Sequence, residues 1–333
     1  MELQIENYPS LVTDIGNLLH LGRQKAATEI NTILVKTYWE VGKYIVEFEQ
    51  KGNVKAEYGK QLLEQLSRDL CIAYGKGFSR SNLFYMIKLY RFFPICETLS
   101  HKLTWSHYFE ILKADTDLEI GFYTKQCERE KWSVRELKRQ MRSMLFHRLA
   151  LSKDKDGVLA LSQKGHEIAK AEDLLKDPFV LEFLDIPQQH LYREGELEDK
   201  IIANLQQFLL ELGKGFAFIG RQYRMSLGGR HYYLDLLFYH RILKCFVLID
   251  LKRGEIDHQD VGQMNLYLNY FKKEEATEGD NEPIGIILGA YQNNILVEYA
   301  TDSITNKVFM SKYQLYLPNK EQLQTALSKL LEE

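Results

Sequence analysis

Apolar residues recur at a helical period through the first 150 positions. From Gln24 to Gln50 they fall at Ile30, Leu34, Val41, Ile45 and Phe48, close to a 3.6-residue repeat. Leu62, Leu63, Leu66 and Leu70 line one face of a second predicted helix, from about Glu57 to Ala73. Tyr74-Gly75-Lys76-Gly77-Phe78 breaks that pattern, and Ser79 then stands as an N-cap for a helix over about Arg80–Phe93 that stops at Pro94. Helix, glycine turn, helix is the outline of a DNA-reading helix-turn-helix, and equally of a packed helical pair. Lys76 and Arg80 are the basic residues such a reading places on nucleic acid. Further helices are predicted over Leu103–Lys113, about Asp115–Glu130 and Ser133 to about Leu149, the last opening on the capping-box spacing of Ser133 and Glu136.

The period fades after Ser152, where Lys153-Asp154-Lys155-Asp156-Gly157 is charged and turn-rich. Residues 151–187 therefore read as a linker region with a short helix near Ile168–Leu175, between a helical domain at 1–150 and a second domain at 188–333. In that second domain a helix is predicted from Glu196 to Leu212, ended by Gly213, and a strand from Phe216 to Met225. Two strand-length apolar runs follow, then a helix from about Asp257 to Phe271, strands near Ile284–Leu288 and Val308–Ser311, and a last helix from Asn319. The α-β-β-β-α-β order predicts a mixed sheet with helices packed on it.

Composition changes this picture little. The 333 residues are 45% hydrophobic and 27% charged, ordinary for a globular chain with room for about two domains. Net charge is −3, so any basic surface must be local. One candidate is Lys125–Arg148, where eight Lys and Arg stand against three acids; it reads either as a solvated helix face or as a phosphate-backbone patch built on Arg135, Arg139 and Arg142. Cys71, Cys96, Cys127 and Cys245 are far apart and form no CxxC pair, which argues against a zinc ribbon or disulfide framework and fits a reducing cytosol. No signal peptide is expected, and no stretch approaches the roughly 18 apolar residues of a spanning helix. The expectation is a cytoplasmic protein without a membrane partner.

The chemistry is concentrated in the two apolar runs, Tyr232–Tyr239 and Cys245–Lys252. Asp235 interrupts the first, and Asp250 with Lys252 interrupts the second. Charges in buried strands are costly unless compensated. With a turn at Arg241–Lys244, His240 pairs with Cys245, and counting back sets Asp235 opposite Asp250. Opposed residues have Cβ atoms about 5 Å apart and like charges there repel, so the pair asks for a cation, and an all-oxygen pair suits Mg²⁺, with Mn²⁺ as its substitute. Lys252 would hold a nucleophilic water or offset charge building on a phosphate. The alternative is a surface hairpin with a solvated Asp250–Lys252 pair, against which the flanking Phe, Leu, Ile and Val residues argue. Glu198 shares an apolar helix face with Ile201, Ile202 and Leu205, with Glu196 as its near competitor. Gln263 and Tyr267 stand one helical turn apart.

Glu198, Asp235, Asp250-X-Lys252 and Gln263-XXX-Tyr267, in that order, resemble the PD-(D/E)XK nuclease superfamily. Residues 190–270 are similar, more closely, to the YhcG family of bacterial nuclease-like proteins, through Phe208–Phe218, Asp235–His240 and Gly262-Gln263-Met264. The N-terminal half resembles that family's helical domain through Gly75–Ser79, Leu103–Tyr108 and Trp132–Leu137. The resemblance implies a restriction-endonuclease-like α/β core behind an all-α N-terminal domain, an α+β two-domain chain that hydrolyses phosphodiesters with Mg²⁺, most simply in DNA. It implies Asp235 and Asp250 as metal ligands, Lys252 as the catalytic lysine, Glu198 assisting through water, and Gln263 and Tyr267 as supports. Two positions depart from the pattern: Leu234 stands where the superfamily's name has proline, and Asp250 where this family leads one to expect glutamate. The rival readings are a catalytically weak nucleic-acid-binding subunit and a protein-interaction or homo-oligomer module carried by residues 1–150.

Overall fold

The computed structural model describes residues 8–51, 56–151, 153–176, 178–186, 193–291 and 306–332. They form two compact units, 1–138 and 139–333.

The first unit is helical. α1 (Tyr8–Lys51) begins well before the predicted Gln24, and α2 (Ala56–Tyr74) and α3 (Arg80–Phe92) follow. Ser79 caps α3 by accepting from the Asn82 N–H at 3.3 Å. The second half of α1 packs on α3 through a core of Ile45, Val46, Leu83, Met86 and Ile87, with Leu63, Leu66 and Leu70 of α2 against it. Contact is closest at Gly42, where a Cβ would collide with the Met86 carbonyl. The Trp39 indole donates to the Phe93 carbonyl at 2.6 Å. Thus α3 is held by its buried Leu83, Met86, Ile87 and Leu89, while Arg80 is exposed and paired with Glu64 at 3.0 Å. α4 (Trp105–Ile111) and α5 (Asp117–Glu130) complete this unit, and α6 (Val134–Arg142) starts with the Glu136 N–H on Ser133 Oγ. The predicted single helix over 133–149 is broken: Met144 turns left-handed (φ 53°) before α7 (Leu145–Ala150).

The second unit is a six-stranded mixed sheet in the order β1-β6-β5-β4-β3-β2. The strands are β1 (Phe179–Val180), β2 (Phe216–Leu227), β3 (Arg230–His240), β4 (Cys245–Glu255), β5 (Ile284–Tyr291) and β6 (Lys307–Gln314). β2, β3 and β4 form an antiparallel meander, and β4, β5, β6 and β1 run parallel. The predicted register holds: His240 pairs with Cys245 across the turn. Gly215 (φ +103°) lies so close to the buried His240 ring that a Cβ would overlap it, which closes this end of β2 and β3.

Helices cover both faces. Val247, Ile249 and Leu251 share a core with α9 (Glu194–Ala203) and α10 (Leu205–Leu212), through Leu197, Ile201, Phe208 and Leu212. The predicted single helix 196–212 is interrupted at Asn204. On the other face Leu248 and Ile287 pack with Val261, Met264 and Leu268 of α11 (His258–Tyr270). α12 (Lys320–Glu332) closes the chain.

Residues 151–187, expected as a linker, carry α8 (Lys155–Lys164) and add Ala171, Leu174, Phe179, Leu181 and Leu184 to the core, because β1 is hydrogen-bonded to β6. The basic tract is corrected as well. Arg148 is fully buried: its Nη1 donates to Glu211 Oε1 at 2.5 Å and to the Pro178 carbonyl at 2.9 Å. Arg139 lies 3.4 Å from Glu182 and 3.5 Å from Glu211, with its guanidinium over Phe183. Both arginines answer buried carboxylates, so neither belongs to a solvent-facing patch. Arg135, Arg142 and Lys76 are exposed.

No helix among the described residues is long and apolar enough to cross a membrane, and all four cysteines are free thiols.

Candidate active site

The β3–β4 ladder runs from His240–Cys245 to Leu236–Ile249 and ends one step before Asp235 and Asp250. There the backbone bond is replaced: Asp235 Oδ2 accepts from the Leu251 N–H at 2.8 Å. This anchors one oxygen of Asp235 and leaves the two carboxyl groups within hydrogen-bonding reach of each other. Asp250 is 3% exposed. Burial, then the Asp235 charge, push its carboxyl well above the usual carboxylate range, with Lys252 pulling the other way. Lys252 lies two residues on, its Nζ 3.0 Å from Asp250 Oδ2 and 3.2 Å from Asp260 Oδ1. Burial alone would lower its ammonium, but Asp250 and then Asp260 outweigh it and hold it above its ordinary value. Lys252 is therefore a fixed positive charge and hydrogen-bond donor, not a base.

α11 supplies one wall. Asp257 caps it by accepting from the Gln259 and Asp260 N–H groups at 2.8 and 3.0 Å, and Asp260 Oδ2 accepts from the Asp257 N–H at 3.0 Å. The capping box thereby aims the other Asp260 oxygen at Lys252. One turn on, the Gln263 amide donates to the Tyr267 hydroxyl, which donates to the Tyr233 carbonyl at 3.2 Å. The pair clamps β3 two residues before Asp235. Burial, then the nearby Asp250 and Asp235 charges, raise the Tyr267 hydroxyl, so it stays protonated.

α9 supplies the opposite wall. Glu198 is buried, whereas Glu196 is exposed and accepts from the Arg193 N–H at 3.2 Å, so the helix turns Glu198 inward. The Arg253 N–H donates to Glu194 Oε1 at 3.1 Å, fastening the start of α9 to β4. Between Glu198 and Asp235 stands a residue that sequence reasoning missed. Gln222 Nε2 donates to Glu198 Oε2 at 2.7 Å and to Asp235 Oδ1 at 3.1 Å. Gln222 has φ +48°, uncommon for a side chain in a strand, just past a register shift between Phe218 and Gly220. No local pattern signals this, because strand alternation alone makes Gln222 an ordinary surface residue. Burial raises the Glu198 carboxyl, and its Oε1 is buried without a hydrogen-bond partner.

The predicted set Glu198, Asp235, Asp250, Lys252, Gln263 and Tyr267 thus converges from β3, β4, α9 and α11 on the end of the ladder. Asp260 also joins through Lys252; its capping spacing was legible but its ion pair was not. Among the described residues no three His, Cys, Asp or Glu side chains form a ready cation cluster. The cradle has two carboxylates, with Glu198 held off by the Gln222 amide.

Two family models cover this chain: the YhcG PDDEXK nuclease domain matches residues 172–328, and the DUF1016 N-terminal domain matches residues 14–148. The chain is 36% identical to "Putative nuclease YhcG" of Escherichia coli (strain K12), across 95% of this chain and 92% of that one. The chain belongs to the YhcG family. Its second unit carries the nuclease domain of PD-(D/E)XK type that this YhcG family shares, and the first carries the family's helical domain. Among solved structures, a repair endonuclease from Pyrococcus abyssi is 20% identical with a TM-score of 0.28, covering 40% of this chain and 50% of that one. An EndoMS–dsDNA complex is 18% identical with a TM-score of 0.26, over the same shares.

Proposed function

We propose that this YhcG-family chain is a divalent-metal-dependent DNA endonuclease of the cytoplasm. The observation that carries the reading is the Asp235–Asp250 pair with Lys252 beside it, in a chain whose family model is a nuclease domain. The residues fit a small hard cation. Two side-by-side carboxyl groups repel unless a proton or a cation lies between them, the donors are all oxygen, and Glu198 Oε1 is a buried acceptor with no partner. Asp235 and Asp250 would hold Mg²⁺, or Mn²⁺ in its place; when bound, the ion supplies a Lewis acid for the phosphoryl oxygens.

The chain's own residues supply the rest. The Leu251 N–H holds Asp235 by one oxygen, and Gln222 holds it by the other while tying it to Glu198. Lys252, permanently charged, donates toward a phosphate oxygen and offsets charge that grows on it in the transition state. Glu198, with its raised carboxyl, is placed to take a proton from an attacking water. Gln263 and Tyr267 fix the backbone of β3. Free thiols throughout the chain suit a reducing compartment.

Supercoiled plasmid with and without Mg²⁺ is the test. The wild-type protein should nick it only with the ion, and Asp250→Ala or Lys252→Ala should remove at least about 99% of that rate. Unchanged cleavage in both variants would eliminate the mechanism, and retained binding with no cleavage in either Mg²⁺ or Mn²⁺ would make the chain a binding subunit.

A further inference from the structure

α1 is 44 residues, about 66 Å long, and only its second half has a home. Val35, Trp39, Ile45 and Val46 are buried, whereas every residue from Val12 to Ile30 is exposed. The exposed half is not polar. Val12, Ile15, Leu18, Leu19, Ile30 and Ile33 are 49–70% exposed. On a helical wheel Val12, Ile15, Leu19, Gly22, Ala26, Ile30 and Ile33 fall within an arc of about 80°, while Asn17, Gln24, Thr28 and Asn31 face away. No atom among the described residues comes within 4 Å of the position a Cβ would take on Gly16 or Gly22, unlike Gly42 farther along the same helix. An isolated helical stretch with two glycines is a poor helix in water. An apolar stripe of this length calls for a covering surface.

The stripe itself indicates which surface. Read outward from a midpoint between Gly22 and Arg23, the two directions match: Val12 mirrors Ile33, Ile15 mirrors Ile30, and Leu19 mirrors Ala26. A two-fold axis at that midpoint sets each residue of one copy opposite its mirror in the other, which is the requirement for a self-complementary interface. The large pairs fall toward the two ends. The small residues Gly22 and Ala26 lie near the axis, where two crossing helices approach most closely. At about 100 Å² for each of the five large side chains of the stripe, pairing removes about 500 Å² per copy, about 1,000 Å² in all, at the lower edge of specific interfaces.

We infer that residues 12–33 of α1 bind a second copy of this chain as an antiparallel helix pair centred between Gly22 and Arg23. The nuclease unit is thereby delivered in twos, whatever its substrate.

Sedimentation of the full chain at about 10 μM should give a dimer, and the Ile15→Asp/Ile30→Asp variant a monomer whose thermal melting retains the wild-type sheet transition. Cysteine pairing sets the direction. Ile15→Cys mixed with Ile30→Cys should cross-link on oxidation, and Gly22→Cys should cross-link alone, while Ile30→Cys alone should not. A monomeric wild type, a variant that remains dimeric, or self-linking of Ile30→Cys as efficient as the mixture would each overturn the proposal.

Discussion

Removing the Glu211 carboxylate tests the buried charge network under the sheet. Glu211 is wholly buried and accepts from Arg148 at 2.5 and 3.4 Å, from the Val180 N–H at 3.0 Å and from Arg139 at 3.5 Å. Lys176 donates to its backbone carbonyl. Burial would raise its carboxyl, but Arg148 and Lys176 outweigh that and hold it below the usual range. Glu211→Ala leaves the buried Arg148 guanidinium without its hydrogen-bonded carboxylate and the Val180 N–H at the start of β1 without its acceptor. Breaking one side of a buried ion pair costs about 3–5 kcal/mol, and an orphaned amide adds about 1 kcal/mol. For a unit of this size that is a drop in melting temperature of about 8–24 °C. Urea unfolding of Glu211→Ala, Arg148→Met and the double variant is the assay. Because each single strands the other's buried charge and the double strands neither, the double should lose at least about 2 kcal/mol less than their sum. A Glu211→Ala cost below about 1 kcal/mol, or strict additivity, would refute the account.

Three further outcomes follow from the same geometry. Gln222→Ala should lower plasmid nicking by about 10- to 100-fold with little change in melting, since its amide positions Glu198 and Asp235 from an exposed strand; wild-type rates would deny it that role. Arg135→Ala and Arg142→Ala should weaken binding to any DNA sequence equally and flatten its salt dependence, whereas Arg139→Ala should act on thermal stability; gel shifts and melts on the three variants separate the effects. Burial and then Lys176 lower the His166 imidazole to about 4. The unfolded chain therefore binds more protons than the folded one between about pH 6.5 and 4, so stability falls as pH falls through that window, by up to about 3 kcal/mol. His166→Gln should lose that part of the slope in denaturant titrations at pH 7 and pH 4.5, and an unchanged slope would count against the burial cause.

The helical first half, the mixed sheet that follows it in the chain and the His240–Cys245 register that directs Asp235 and Asp250 to the same end of the ladder are all legible along the chain alone. A four-residue turn sets strand register, and alternation then carries that register along both strands without reference to the rest of the chain. Ser79 and Ser133 are legible as helix caps and Asp257 and Asn319 as helix starts, because a helix N-terminus is settled within a few residues. The tertiary structure alone decided what depends on distant segments meeting. Residues 171–184 read as a linker until β6 is present for β1 to pair with. Arg139 and Arg148 look like surface charge in a basic tract; Glu211, more than sixty residues on, takes both inside. Gln222 becomes the bridge between Glu198 and Asp235 only because a strand irregularity gives it a left-handed backbone. Period and spacing report what neighbours along the chain impose, while a buried charge is matched by whichever partner the completed fold brings to it.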